Sequence, residues 1–332
     1  MGSRFRVLAL SLWALSGCAA GFRAEARGRV VTADDGYPLR VYEMVESGTR
    51  RAPARDGLVF YLDGSRRSSV LERMGALAGF SMLGFPVILV EPRGLNDDGS
   101  FDAALAWRSD TKQRRVADQK AVIDQALAGR APRTVLLVGA SEGGDIAASV
   151  AAEDPRVSHV LLMGSGGGID QASELGILVA RQPGYLGIRD PAELELAFAR
   201  IRRQPDSLAD WLGHPYRRWS SYLWSRPLDD LKRSRASVLA LHGSDDENVP
   251  PESARALGAA LGAGAFVEYP GVDHRFRQRS TGRSALPCAE IDVVSWLGRT
   301  RAISAEDARV FAERTRQAHP EWFAGGRERC AL

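Results

Sequence analysis

A serine in a glycine-rich turn is the first feature of this sequence that suggests chemistry. It lies in Gly139-Ala140-Ser141-Glu142-Gly143, directly after a predicted strand at 135–139 and directly before a predicted helix. A sharp strand-to-helix turn lifts a serine hydroxyl above a sheet, and small flanking residues prevent collisions with neighbouring backbone. Free N–H groups at the helix start would stabilise negative charge on an attacked carbonyl. The pattern predicts a nucleophilic serine; a plain βα turn is the alternative.

A serine hydroxyl needs a histidine to accept its proton and a carboxylate to orient that histidine. Two downstream loops supply both types, Leu241-His242-Gly243-Ser244-Asp245-Asp246 and Gly271-Val272-Asp273-His274. His274 is the predicted base, because it completes a serine, an acid and a histidine in chain order. The other histidines lie in a strand, before the acid loop, in an insertion and in the tail: His159, His242, His214 and His319. A structural role for His274 is the alternative.

Together, the three loops resemble those of the α/β-hydrolase superfamily, and the resemblance covers residues 28–300. In that superfamily the acid stands three residues after a glycine and three before Val-Pro. This spacing implies that Asp246 orients His274, with the neighbouring Asp245 as the alternative acid. The resemblance also implies acyl transfer to water through an acyl-enzyme on Ser141, without a cofactor.

Two details narrow the expected activity. Ser-Glu-Gly-Gly at the turn and an insertion before the acid strand resemble the serine aminopeptidase and dienelactone-hydrolase-like esterase branches of the superfamily. We therefore expect a serine hydrolase that cleaves a carboxylic ester of a small-molecule acyl substrate. A peptidase of the same fold is the nearest alternative. An envelope lipoprotein that keeps the fold without catalysis is the alternative from another class, and the intact serine, aspartate and histidine argue against it.

The oxyanion hole requires two backbone donors. In this superfamily it combines the N–H of the residue after the nucleophile, here Glu142, with an N–H from the loop after the strand predicted at 58–62. That loop reads Leu62-Asp63-Gly64-Ser65-Arg66, so Ser65 is the predicted donor and Gly64 the residue that admits the substrate. Many relatives have His-Gly where this chain has Asp-Gly. A tight turn that needs Gly64 only for its geometry is the alternative.

Short, almost wholly apolar runs are spaced along the chain as strands buried on both faces would be. They lie at 58–62, 86–90, 135–139, 158–163, 237–242 and 265–269. Helical patterns alternate with them at about 67–83, 111–129, 142–153, 251–262 and 286–299. Asp34-Asp35-Gly36, between 29–31 and 38–46, predicts an antiparallel hairpin at the start. The alternation predicts an α/β fold with a mostly parallel, doubly wound sheet.

One connection is much longer than the others, with about 70 residues between the runs at 158–163 and 237–242, where about 2–6 residues or one helix is usual. The insertion, at about 167–235, has a helical pattern at 190–204 and an aromatic group. The group comprises Trp211, Tyr216, Trp219, Tyr222 and Trp224. We predict a helical cap over the C-terminal edge of the sheet, where open α/β sheets bind ligands. A packing module without substrate contact accounts for the pattern equally well.

Two further features lie in or beside this insertion. Gly164-Ser165-Gly166-Gly167-Gly168 lacks the Gly-Lys-Ser/Thr ending of a phosphate loop and is interpreted as a flexible exit into the cap. Arg217, Arg218 and Arg226 are candidates to anchor a substrate carboxylate, as a peptidase requires. Solvated surface arginines are the preferred interpretation.

The N-terminal residues resemble a bacterial lipoprotein signal. Two arginines precede an apolar run at 7–15, which is too short for the roughly 20 residues that cross a bilayer. Ser16-Gly17-Cys18 then resembles a lipobox, which implies that residues 1–18 are signal and lipobox and that Cys18 is acylated. Ala19 implies a lipid anchor in the outer membrane, facing the periplasm. An ordinary cleaved signal peptide is the alternative.

The remaining cysteines, Cys288 and Cys330, would meet an oxidising compartment after export. A disulfide between them would tie the C-terminal extension, 301–332, to the hydrolase domain, and two unpaired thiols are the alternative. The extension contains an amphipathic helical pattern at 303–318.

The composition excludes some classes of partner. The formal charge of +3 arises from 44 basic and 41 acidic residues spread along the chain, so no basic patch for nucleic acid is predicted. No cysteine and histidine spacing indicates zinc, and Asn96-Asp97-Asp98-Gly99 lacks the spacing of a calcium loop. We expect no metal. The sequence does not indicate an oligomeric state.

Overall fold

The computed structural model describes residues 5–6, 24–46, 55–182 and 184–323. Within these ranges the chain forms a central sheet and a small separate hairpin. The strands are β1 (Phe5–Arg6), β2 (Ala24–Thr32), β3 (Pro38–Glu46), β4 (Gly57–Leu62), β5 (Val87–Val90), β6 (Thr134–Ala140), β7 (His159–Met163), β8 (Asp210–Trp211), β9 (His214–Pro215), β10 (Ser237–Gly243) and β11 (Phe266–Tyr269).

The central sheet has the order β1-β2-β3-β5-β4-β6-β7-β10-β11. The pairs from β5 to β11 are parallel, whereas β1, β2 and β3 add an antiparallel edge. Every residue of β4 and β5 is buried, because helices cover both faces of the sheet. The predicted α/β fold with a mostly parallel, doubly wound sheet is confirmed, as is the opening hairpin.

The α-helices are α1 (Met74–Met82), α2 (Ala103–Ser109), α3 (Lys112–Leu127), α4 (Gly143–Glu153), α5 (Gln171–Arg181), α6 (Pro191–Arg203), α7 (Tyr216–Tyr222), α8 (Pro227–Arg233), α9 (Pro251–Leu261), α10 (Leu286–Arg299), α11 (Ala305–Ala318) and α12 (Pro320–Phe323). Short 3₁₀ segments lie at Val70–Arg73 and Tyr185–Gly187.

Side chains that alternate along the strands divide the core into two layers. On β4, Val59 and Tyr61 pack with α1, α10 and α11, whereas Leu58 and Phe60 pack with α3, α4 and α9 on the other face. This period of two is the geometry of a β-strand. Because β4, β6, β7 and β10 are parallel to one another, their carboxyl ends lie at the same edge of the sheet.

The insertion between β7 and β10 contains α5 to α8, the Tyr185–Gly187 turn and the hairpin β8–β9. It has its own apolar cluster, which includes Leu175, Phe198, Ile201, Trp219 and Leu223. The predicted helical pattern at 190–204 corresponds to α6. The helices α5, α7 and α8 and the hairpin were not predicted from the sequence. The two-residue strands of the hairpin are too short to show a period.

The glycine-rich segment Gly164–Gly168 is closely packed, so the prediction of a flexible exit is wrong. A Cβ on Gly166 would lie 1.9 Å from Oε1 of Glu174, and one on Gly168 would lie 2.3 Å from the carbonyl oxygen of Ser253. The glycines are needed because the segment passes directly against α5 and α9, not because it must move.

The two ends of the chain are described only in part. The predicted signal and lipobox lie outside the described residues, apart from Phe5–Arg6. None of the described helices combines the length and the apolarity needed to cross a bilayer. Cys288 on α10 is disulfide-bonded, and the predicted partner, Cys330, lies outside the described residues. Within the C-terminal extension, α11 corresponds to the predicted amphipathic helix.

Candidate active site

Ser141 lies in a strained turn between β6 and α4. Its φ of 52° is in the left-handed region, which non-glycine residues rarely adopt. The Ser141 N–H donates to the carbonyl oxygen of Met163 at 2.9 Å, so the turn is tied to the end of β7. The structure therefore places Ser141 at the carboxyl edge of the sheet, as the sequence predicts.

The two glycines of the pentapeptide make this turn possible. A Cβ on Gly139 would lie 2.6 Å from the carbonyl oxygen of Gly143, and a Cβ on Gly143 would lie 2.0 Å from that of Leu62. Both distances are far below van der Waals contact, and the colliding atoms are backbone. The glycines are therefore required by the close approach of β4, β6 and α4 at this point.

Asp246 and His274 meet at the same edge. Nδ1 of His274 lies 2.8 Å from Oδ2 of Asp246, and the Asp246 side chain is fully buried. The other oxygen of Asp246 accepts hydrogen bonds from the N–H groups of Asn248 and Val249 at 2.9 and 2.8 Å. With both oxygens engaged, this carboxylate has one orientation, and it fixes the imidazole ring.

Asp245, the alternative acid, has different surroundings. It is exposed, and its Oδ1 accepts a hydrogen bond from Ser244 Oγ at 3.0 Å. Among the contacts of the described residues, Asp245 has none with His274. The geometry therefore favours Asp246 as the partner of the histidine.

The end of β7 links His274 to Ser141. Gly164 directly follows Met163, the residue that accepts the Ser141 N–H, and a Cβ on Gly164 would lie 3.5 Å from both Nδ1 and Cε1 of His274. Glycine at this position thus leaves room for the imidazole beside the serine turn. The His274 side chain is 17% exposed, so the ring remains open to a substrate.

His242 contacts the acid loop, a role that its position in the sequence does not predict. It is fully buried on β10; its Nε2 lies 3.2 Å from the carbonyl oxygen of Val249 and 3.6 Å from Oδ2 of Asp246. Burial lowers the pKa of His242, so the ring is neutral, and Nε2 carries the proton because a carbonyl only accepts. His242 thereby stabilises the acid loop through a hydrogen bond to the carbonyl oxygen of Val249.

The predicted oxyanion donors lie close to Ser141. A Cβ on Gly64 would lie 3.7 Å from Oγ of Ser141, so the loop after β4 faces the serine. The N–H of Gly64 donates to Oδ1 of Asp63 at 2.9 Å and is therefore engaged. Within the described part of the chain, the N–H groups of Ser65 and Glu142 have no such acceptor. These two groups are the available donors.

The side chain of Glu142 lies in a buried ionic cluster. Its Oε1 accepts a hydrogen bond from Nη1 of Arg115 on α3 at 2.7 Å, and its Oε2 accepts one from Nη2 of Arg218 on α7. Nε of Arg218 also lies 3.2 Å from Oδ2 of Asp110. The guanidinium of Arg218 lies 5.1 Å from the ring centroids of Trp219 and Tyr222. A cap residue and a residue of the main domain thus share one carboxylate.

The arginines of the cap differ from the expected surface positions. Arg218 is only 2% exposed, so the prediction that it is solvated is wrong. The sequence contains no local signal for this burial, because the partner Glu142 is 76 residues away. Arg226 pairs with Asp229 on the surface.

Most of the cap aromatics pack against one another. The ring centroids of Trp211 and Trp219 are 4.8 Å apart, and Phe198 lies edge-on to Trp211 at 5.9 Å and to Trp224 at 6.4 Å. Tyr222 is fully buried in the core of the main domain. For these residues the packing interpretation is the one that the geometry supports.

A small cleft of about 90 Å³ adjoins the oxyanion loop. Its lining includes Asp63, Gly64, Ser65, Arg67, Phe101 and Arg115. A larger cleft, of about 740 Å³, lies among α3, α4 and α8, and neither cleft has Ser141, Asp246 or His274 in its lining. Among the described residues, no group of three or more histidine, cysteine, aspartate or glutamate side chains is arranged to hold a metal.

The fold agrees with comparisons to known proteins. The model of the alpha/beta hydrolase family matches residues 16–284. The chain therefore belongs to the alpha/beta hydrolase family. A search of curated proteins finds no match.

Several solved structures share the fold. A puromycin-hydrolyzing peptidase from Mycobacterium tuberculosis is 19% identical, with a TM-score of 0.54 over 88% of this chain and 41% of that one. Est1E from Butyrivibrio proteoclasticus, solved with ferulic acid bound, is 19% identical, with a TM-score of 0.59 over 82% of this chain and 99% of that one. GrgF from a Penicillium species is 15% identical, with a TM-score of 0.57 over 84% and 99%. This chain thus spans less than half of the peptidase, and the likenesses establish the fold alone.

Proposed function

We propose that this protein is a serine hydrolase that cleaves a carboxylic ester through an acyl-enzyme on Ser141. The observation that carries the proposal is the hydrogen bond of 2.8 Å between His274 and the buried Asp246, beside the strained turn of Ser141. Membership of the alpha/beta hydrolase family supports the same conclusion.

The proposed reaction has two halves. Oγ of Ser141 attacks the ester carbonyl carbon, and its proton passes to Nε2 of His274, because Nδ1 faces Asp246. The N–H groups of Glu142 and Ser65 stabilise the oxyanion, and the intermediate collapses as His274 returns the proton to the departing alcohol. A water molecule then attacks the acyl-enzyme with the same base, which releases the acid and restores Ser141.

Labelling with a fluorophosphonate probe tests the nucleophile. We expect the wild type to be labelled and Ser141→Ala to lose the label, while Ser220→Ala, which changes a cap serine that bonds to the Pro205 carbonyl, keeps it. An unlabelled wild type would favour the alternative of an envelope lipoprotein without catalysis. Labelling that survives in Ser141→Ala would assign the nucleophile elsewhere.

The type of acyl bond is tested by comparing p-nitrophenyl esters with aminoacyl anilides. We expect ester turnover to dominate. A peptidase of the same fold is the second candidate. The observation that favours it is the structural similarity to the puromycin-hydrolyzing peptidase. Turnover of anilides without turnover of any ester would establish that candidate instead.

We also propose that the protein is exported and anchored by lipid on Cys18 in the outer membrane. The support is the sequence alone: an apolar run at 7–15 followed by Ser16-Gly17-Cys18. Incorporation of radiolabelled palmitate in a bacterial host tests it, with Cys18→Ser as the variant expected to lose the label. A wild type without label, or a variant that stays membrane-bound and labelled, would contradict the anchor.

A further inference from the structure

We propose that Arg115 is a positioning residue that joins the two halves of the oxyanion hole. The inference rests on the proposed function, because it assigns a task within that reaction. Neither half of the hole is formed by Arg115 itself, which lies on α3 with its side chain 24% exposed. Its role follows from the four groups that its guanidinium reaches.

One arm of the guanidinium holds the loop after β4. Nη2 of Arg115 donates hydrogen bonds to the carbonyl oxygens of Asp63 and Gly64, the latter at 3.2 Å. The other arm holds the start of α4, because Nη1 donates to Oε1 of Glu142 at 2.7 Å. Nη1 also lies 3.4 Å from the hydroxyl of Tyr222, which is fully buried. One side chain thus spans both segments that present the oxyanion donors.

The bond to Gly64 acts on the donor group directly. The Gly64 carbonyl and the Ser65 N–H belong to one peptide unit, which is planar and trans, so the two point in opposite directions. When the Gly64 carbonyl points towards Arg115, the Ser65 N–H therefore points away from Arg115. A charged donor on the carbonyl also polarises the unit, which makes its N–H a stronger donor.

The bond to Glu142 acts through charge. A buried carboxylate directly after the nucleophile would oppose the negative charge that develops on the substrate oxygen. Arg115 and Arg218 each pair with one oxygen of this carboxylate and neutralise it. Arg218 shares only this part of the task, because its ion pairs are with Glu142 and Asp110 and not with the loop after β4.

The test compares Arg115→Met with a matched control, Arg55→Met. Arg55 has a similar exposure of 21% and similar partners, the carbonyl oxygen of Leu83 and the carboxylate of Asp307, but it precedes β4 at the opposite edge of the sheet. For Arg115→Met we expect kcat per labelled site to fall by about 10- to 100-fold with KM within about threefold. This loss is somewhat below that of deleting an oxyanion donor outright. Arg55→Met should keep the wild-type kcat.

A second measurement separates positioning from stability. A trifluoromethyl ketone forms a hemiketal oxyanion on the serine, so its affinity should fall in Arg115→Met by the same factor as kcat. Arg115→Lys should recover part of both losses, since lysine retains the charge but lacks the fork. If Arg115→Met does not fold, Arg115→Lys is measured alone against the wild type, and the same parallel loss is expected.

Failure of the role proposed for Arg115 and failure of the proposed hydrolase function give different results. Wild-type turnover together with unchanged kcat and ketone affinity in the Arg115 variants would overturn this inference and leave the proposed function intact. A loss that appears only in KM, or equally in Arg55→Met, would do the same. A wild type that neither hydrolyses esters nor reacts with the fluorophosphonate would overturn the proposed function, and the inference with it.

Discussion

His274 is joined to Asp246 and not to its neighbour Asp245. The Nδ1 to Oδ2 distance is 2.8 Å, and the carboxylate of Asp246 is fully buried, whereas Asp245 is exposed and accepts a bond from Ser244. One peptide unit thus separates a carboxylate that orients the histidine from one that faces solvent.

Replacing Asp246 with Asn should lower kcat by roughly 10⁴-fold, because an amide stabilises the wrong tautomer of His274 and no longer supports the imidazolium. Asp245→Asn is the matched control, and it should leave kcat within about threefold. Ester hydrolysis by both variants, corrected for the folded fraction, provides the measurement. The reverse ranking would identify Asp245 as the acid.

Replacing Gly64 with Ala should impair catalysis more than folding. The added Cβ would lie 3.2 Å from the Cβ and 3.7 Å from the Oγ of Ser141, in space that a substrate needs. We expect kcat/KM to fall at least about tenfold, since small misplacements at a reacting centre are costly. Thermal unfolding and steady-state kinetics measure the two effects separately.

The control for this substitution is Gly75→Ala on α1, where the added Cβ meets no heavy atom within 4 Å. Alanine in a helix should be neutral or stabilise the protein by up to about 1 kcal/mol, with unchanged kinetics. If Gly64→Ala retained full activity, the loop after β4 would lie outside the substrate path.

Replacing Gly143 with Ala should prevent stable folding. The Cβ would lie 2.0 Å from the carbonyl oxygen of Leu62, and a β-strand backbone cannot yield by the distance required. We expect a loss of more than about 4 kcal/mol in the free energy of unfolding, the range reserved for severe core defects. Gly176→Ala on α5, with no heavy atom within 4 Å of the new Cβ, should behave as the wild type in urea unfolding.

Replacing Glu290 with Gln should change how stability depends on pH. Glu290 on α10 lines an apolar cleft with Phe80, Leu83 and Phe311, and burial raises its pKa to about 7. The folded state therefore binds this proton more tightly than the unfolded chain. Protonated Glu290 therefore contributes to the free energy of unfolding. This contribution is complete below about pH 4.5 and is lost as the pH rises through about 7.

Relative to Glu290→Gln, the wild type should lose on the order of 2 kcal/mol in the free energy of unfolding between pH 5 and pH 9. Urea unfolding of both proteins across that range measures the difference. Glu195→Gln, at an exposed position of α6, should retain the wild-type dependence. Parallel curves for wild type and Glu290→Gln would show that the carboxyl is charged and solvated throughout.

Much of the fold was predictable, because the apolar period is local. The predicted helix at 286–299 coincides with α10, and the strand predicted at 135–139 lies within β6, since buried strands and amphipathic helices have distinct periods. The helices α2, α5, α7, α8 and α12 were not predicted. The hydrophobic pattern of α2 spans only seven residues, and α5 begins after a glycine-rich segment that suggested mobility.

The serine turn and the order of the candidate triad were predictable from the sequence, because the glycines around Ser141 and the loops after the strands are local patterns. The tertiary structure agrees with the spacing in favouring Asp246 over Asp245, because only Asp246 turns towards His274. It alone decided the ionic cluster, because Arg115 and Arg218 lie 27 and 76 residues from Glu142, and packing alone brings them together. Contacts at such separations leave no periodic trace in a sequence.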